Sequence, residues 1–115
     1  MDFKKIYVFD LDNTLCNTKR NEEGNWDYLN SEPFVDRIKV VNDLYDDGNR
    51  IIIETARGCT SKKNWYEQTY HQLVSFGLKF HELRAGVKFN ADYFIDDKGI
   101  NSEDFFKKWL QQDGL

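Results

Sequence analysis

Ile6-Tyr7-Val8-Phe9-Asp10-Leu11-Asp12-Asn13-Thr14-Leu15 opens with four apolar residues and runs into two carboxylates spaced two apart. An apolar run without alternation marks a strand buried on both faces, as in a parallel sheet covered on each side. Such a strand delivers Asp10 and Asp12 into the loop at its carboxyl end. A second apolar run, Tyr93-Phe94-Ile95, ends the same way in Asp96-Asp97. Four acids at the ends of two strands repel one another unless a cation or a proton compensates them. Their donors are all hard oxygens, which suits Mg²⁺, with Mn²⁺ also compatible, and phosphate chemistry.

Working outward from this stretch, residues 16–30 are polar, carry Gly24 with Trp26, Tyr28 and Leu29, and read as a long loop or a very short hairpin flap. Ser31 can cap a helix whose second position is Pro33, where a missing N–H costs nothing. Phe34, Ile38, Val41, Leu44 and Tyr45 form its apolar stripe, and Asp46-Asp47-Gly48-Asn49 ends it. Arg50 to Glu54, centred on Ile51-Ile52-Ile53, is the next buried strand. Thr60 or Ser61 can start a second helix with Trp65, Thr69, Leu73 and Phe76 on one side and Gly77 as its stop. Lys79 to Leu83 is a weak short strand, Tyr93 to Ile95 another. Ser102 caps a last helix with Phe105, Phe106, Trp109 and Leu110 facing inward.

Strands alternating with helices predict an α/β fold, a single three-layer Rossmann-like domain over residues 1–115 with a small parallel sheet. At 115 residues the chain buries roughly 65% of its extended surface, enough for one core. A hydrophobic content of 40%, with nine Phe, six Tyr and three Trp, excludes a disordered chain. The formal charge of −4 leaves no basic footprint for nucleic acid. No stretch approaches the length of a membrane span, the start is too polar for a signal peptide, and Cys16 and Cys59 are best read as reduced thiols of a cytoplasmic protein. Cys16 reads as a small apolar filler. His71 and His81 lack ligand spacing to either cysteine, which argues against zinc.

In sheets of this kind the reactive groups gather beyond the carboxyl ends of the strands. Asp10 and Asp12, Thr55, and Asp96-Asp97 each follow a different predicted strand. Taken singly they have bland readings: turn formers, a strand-end cap, a solvated surface. Jointly they give the parts of a phosphoryl-transfer site. Asp10 can attack phosphorus and form an aspartyl-phosphate. Asp12 can protonate the leaving oxygen and then activate water, provided the backbone turns after Asp10, a turn that Asn13 and Thr14 can fix with their own side chains. Thr55 can hydrogen-bond a phosphate oxygen, and Lys88 can neutralise the nucleophile and the transferred group. Asp96 completes the metal donors, with Asp97 behind it. Arg57, beside Gly58, is expected at the substrate or the phosphate edge. Trp26 and Tyr28 either wall the substrate or pin the loop to the body.

These motifs resemble those of the haloacid dehalogenase superfamily of phosphotransferases, over residues 5 to 110. Asp10-Leu11-Asp12-Asn13-Thr14-Leu15 is similar to its first motif, Thr55 to the second, Lys88 to the third and Asp96-Asp97 to the acidic fourth. Thr55-Ala56-Arg57-Gly58 is similar to the form found in small sugar-phosphate or polysaccharide-biosynthesis phosphatases. Those members often carry Gly-Lys-Pro where this chain has Val87-Lys88-Phe89, so Lys79 stands as the reserve lysine. The resemblance implies Asp10 as nucleophile, Asp12 as acid and base, and a metal held by Asp10, the backbone carbonyl of Asp12, and Asp96. An acid at the second position implies ester hydrolysis.

Large caps, which the family inserts after the first motif or between the second and third, have no room here. The expected site is open, suited to a sugar phosphate or similar small metabolite, and a homodimer can supply the missing wall. Two alternatives stand beside this reading. A nucleic-acid or nucleotide end phosphatase is disfavoured by the absence of a basic stripe with aromatic platforms. A non-enzymatic phosphoacceptor switch would carry its acceptor Asp after a middle strand, where this chain has Thr55.

Overall fold

A computed structural model describes residues 2–57, 65–85, 93–96 and 100–113. In chain order the elements are β1 (Ile6–Asp10), β2 (Cys16–Asn17), a 3-10 turn (Tyr28–Asn30), β3 (Glu32–Pro33), α1 (Val35–Asp46), β4 (Arg50–Thr55), α2 (Tyr66–Ser75), β5 (Glu82–Ala85), β6 (Tyr93–Asp96), β7 (Ile100–Asn101) and α3 (Ser102–Asp113). Five strands form one parallel sheet in the order β5-β4-β1-β6-β7. This is a mixed α/β domain with a small parallel sheet and three helices, of the general Rossmann-like kind.

The apolar runs behave as burial predicts. Phe9, Ile51, Ile53 and Ile95 are wholly buried, and each contributes about 1.5–3 kcal/mol relative to an exposed position. They join Leu44 of α1, Leu73 of α2 and Phe106 of α3 in one cluster. Phe9 packs against both Phe105 and Phe106, with ring centroids 5.9 and 6.0 Å away. The three-layer expectation is not met among the described residues. β4 and β5 are added successively on one side of β1, so right-handed crossovers bring α1 and α2 to the same face. There Asn42 of α1 donates to the Gly77 carbonyl after α2, and Arg37 of α1 is paired with Glu103 of α3. On the other face Val8 and Ile52 are also buried.

Other boundaries shift for physical reasons. Pro33 does not open α1. It lies in β3, paired with Cys16 of β2, and the helix starts two residues later with Phe34 as its flanking residue. Ser31 spends its hydroxyl on Thr18 instead of a helix end. The 16–30 segment is therefore a short hairpin flap: β2 and β3 pair antiparallel, and Arg20 bridges to Trp26 further out. α2 is described from Tyr66, and its expected starts, Thr60 and Ser61, lie outside the described residues. Gly77 terminates it with φ +74°, a left-handed conformation that suits glycine. The weak strand expected at Lys79 to Leu83 is β5, three residues further on at Glu82–Ala85. β7 went unforeseen because two residues leave no pattern.

Candidate active site

The first acidic loop is a tight turn built around one carbonyl. Leu11 O accepts the N–H groups of Thr14 at 3.2 Å, Leu15 at 2.9 Å and Cys16 at 3.4 Å. Such closure requires a residue in the left-handed region, and Asn13 supplies it with φ 64°. The Asn13 side-chain oxygen accepts the Thr18 N–H at 3.2 Å, while Thr14 Oγ1 donates to Asp10 Oδ2 at 3.4 Å. Both expected turn-fixing side chains thus act as the sequence suggested. From α1, Arg37 braces the loop by donating to the Thr14 carbonyl at 2.9 Å, its guanidinium stacked between Phe34 and Phe106.

The turn sends Asp12 toward the segment after β4. Arg57 grips it with two parallel bonds, Nη2 to Oδ1 at 2.6 Å and Nε to Oδ2 at 3.0 Å. Thr18 Oγ1 donates to the same Oδ1 at 2.6 Å. Arg57 was expected at the substrate, yet its side chain is 0% exposed. Its remaining nitrogen, Nη1, donates to Gln72 Oε1 at 2.7 Å and Thr69 Oγ1 at 3.4 Å, and the guanidinium lies over the Tyr28 ring at 4.7 Å. Gln72 in turn donates to the Tyr28 carbonyl at 2.8 Å, and Tyr28 packs edge-on against Trp65. Tyr28 therefore pins the flap to the body, whereas Trp26 is 43% exposed with Arg20 stacked on it.

Thr55 ends β4, buried, and its Oγ1 accepts the Arg57 N–H at 3.1 Å, which leaves the hydroxyl proton to donate elsewhere. Asp10 and Asp96 are the last residues of β1 and β6, which pair in parallel with Phe9 level with Ile95. One step further along both strands brings the two aspartates side by side, at the roughly 4.8 Å spacing of neighbouring strands. Lys88 and Asp97 lie outside the described residues, as does Cys59. Lys79 does not qualify as the reserve lysine. It is ion-paired to Asp46 at 2.8 Å, at the carboxyl end of α1, and α1 leads into the start of β4, so the pair sits at the sheet edge opposite Asp10.

Among the described residues no three His, Cys, Asp or Glu side chains gather as a metal cluster. Asp10 and Asp96 close neighbouring strands and Asp12 follows in the loop, residue types whose oxygens are hard donors of the kind that suit a cation such as Mg²⁺. Cys16 is wholly buried; burial pushes its thiol pKa up, and the nearby Asp12 adds to this while the Thr18 hydroxyl partly offsets it. Of the two histidines, His71 is exposed on α2 and His81 accepts the Ile51 N–H at the edge of the sheet. Arg37, Thr18 and Gln72 escaped sequence reading. Gln72 alone left a trace, one turn after Thr69 on α2 at the spacing that shares a face. Among the described residues no helix is long and apolar enough to cross a membrane.

No family model matches the chain, and no curated protein matches it. Among solved structures it is similar to a Vibrio cholerae protein, an MCSG target of known crystal structure, at 26% identity and a TM-score of 0.60. The match covers 94% of each chain, so the likeness extends over nearly the whole α/β domain.

Proposed function

We propose that this chain is a cytoplasmic phosphatase of the haloacid dehalogenase type, without a large cap, that hydrolyses a phosphomonoester through an aspartyl-phosphate. The observation that carries this reading is the neighbouring ends of three strands: β1 with Asp10, β6 with Asp96 and β4 with Thr55. Asp12 stands one turn beyond Asp10, where a fixed acid is required.

In this mechanism a carboxylate oxygen of Asp10 attacks phosphorus, the bond to the leaving oxygen breaks, and that oxygen takes a proton from Asp12. Asp12 then removes a proton from water as it attacks the aspartyl-phosphate, which restores the Asp10 carboxylate. Thr55 donates its hydroxyl proton to a phosphoryl oxygen, and Lys88 neutralises the transferred group. Asp10, the Asp12 carbonyl and Asp96 would hold Mg²⁺, with Asp97 behind them. When bound, the ion offsets the charge of these acids and of the phosphoryl oxygens.

A sugar phosphate or similar small metabolite is the substrate class this reading favours. The flap carries a hollow of about 270 Å³ lined by Asn17, Lys19, Asn30 and Glu32 among others, amide and charged groups suited to bonding hydroxyls. The test is phosphate release from a panel of sugar phosphates, nucleotides and phosphorylated oligonucleotides, with and without Mg²⁺. Wild-type protein should turn over at least one small ester, EDTA should silence it, and Asp10→Asn should lose turnover by at least about 10³-fold while keeping its circular dichroism. Failure of every ester with Mg²⁺ present would sink the reading.

A further inference from the structure

An aspartate that must give and take a proton at one place needs its carboxylate held at a fixed rotation. The structure contains a device for this. Arg57 meets Asp12 edge to edge through Nε and Nη2, and Nη1 is tied to Gln72 and Thr69. Tyr28 covers one face of the guanidinium. A cation this enclosed has no freedom to swing, unlike one of a surface pair.

We infer that Arg57 is a positioning residue for Asp12, acting with Thr18, Gln72 and Tyr28; the inference rests on the phosphatase reading for its catalytic meaning. The two oxygens of Asp12 are not equivalent. Oδ1 accepts two bonds of 2.6 Å, from Arg57 and from Thr18, and a weak third from the Cys16 thiol at 3.8 Å, so its accepting positions are taken. Oδ2 accepts one bond, from Arg57 Nε at 3.0 Å, and among the described residues it retains an accepting position. Oδ2 is therefore the oxygen assigned to carry the proton. Thr18 and Tyr28 both belong to the flap, so the same contacts tie the placement of the flap to the rotation of the acid.

The test exploits leaving groups. An alkoxide needs a proton as it departs, whereas p-nitrophenolate does not, so loss of a well-placed acid harms alkyl phosphates selectively. The measured quantity is kcat/KM, which covers the chain of events through departure of the leaving group. For Arg57→Ala and Arg57→Lys, kcat/KM on an alkyl phosphate should fall about 30-fold or more, and on p-nitrophenyl phosphate less than about threefold. Thr18→Val, which leaves the ion pair in place, should show the same selectivity on a smaller scale. Equal losses on both esters, or none, overturn the inference. A second readout is independent of turnover: the Arg57 Nε–H resonance in ¹⁵N spectra should be protected from exchange in wild type and exposed in Asp12→Asn. If wild-type protein hydrolyses neither ester, the phosphatase reading fails on its own. The Arg57 resonance then still decides whether the arginine holds Asp12, and an unchanged signal in Asp12→Asn overturns that as well.

Discussion

Asn13 is the residue on which the acidic loop closes. Its φ of 64° is a conformation that asparagine tolerates and most side chains resist, and its side chain also fixes the Thr18 N–H. Asn13→Ala should cost about 1–2 kcal/mol in urea unfolding, while Asn13→Gly should recover most of the backbone part and lose only the hydrogen bond. The turn after β1 was legible in the sequence because Asn13 and Thr14 behind a buried strand favour a turn held by their own side chains. Arg57 was legible as important but not in its direction: a sequence shows that a guanidinium is near an acid's strand, and only the fold shows that it faces inward.

Among the elements, the flap is the one whose reading gained most from three dimensions. Its polar composition left loop and hairpin open, and Pro33 suggested a helix start. Proline fits the first turn of a helix and an edge strand equally well, since neither needs its N–H. The pairing of Cys16 with Pro33 decides for the strand. Outward of this pair, the flap is tied to α2 through the bond from Gln72 to the Tyr28 carbonyl. Gln72→Ala should therefore speed amide exchange across residues 18–31, with a local loss of about 1 kcal/mol, and leave the amides of β1 and β4 protected. Uniform acceleration in both regions would show that the glutamine supports the whole domain instead.

For the whole molecule, the parallel sheet was readable from the unbroken apolar runs, and the placement of all three described helices on one face was not. Handedness acts on strand order, and strand order is absent from a hydropathy pattern. The sheet edge also carries a pH dependence. His81 has its pKa lowered, first by burial and then by the charge of Arg50, and its Nδ1 accepts the Ile51 N–H at 3.0 Å, which requires a neutral nitrogen there. Tyr45 and Phe3 enclose the ring. Above the ordinary histidine value of 6.5 both folded and unfolded chains hold it neutral, and this stability is fully present. As pH falls below 6.5 the unfolded chain takes up the proton first, so stability declines. Unfolding midpoints between pH 7.5 and 5 should drop in wild type and drop less in His81→Gln, whose amide oxygen can still accept the Ile51 N–H.

The central position of β1 has one more consequence, for biosynthesis. The strand that ends in Asp10 leaves the ribosome before either of its neighbours, and Ile6 must wait for Arg50 and Tyr7 for Tyr93 before the ladder can form. Until then its apolar run is exposed to solvent or chaperones, and closure over such sequence distances is slow. A nascent chain halted before Tyr93 would hold Asp10 but not the strand that ends in Asp96, so on the proposed phosphatase reading unfinished copies of this protein should be chemically silent.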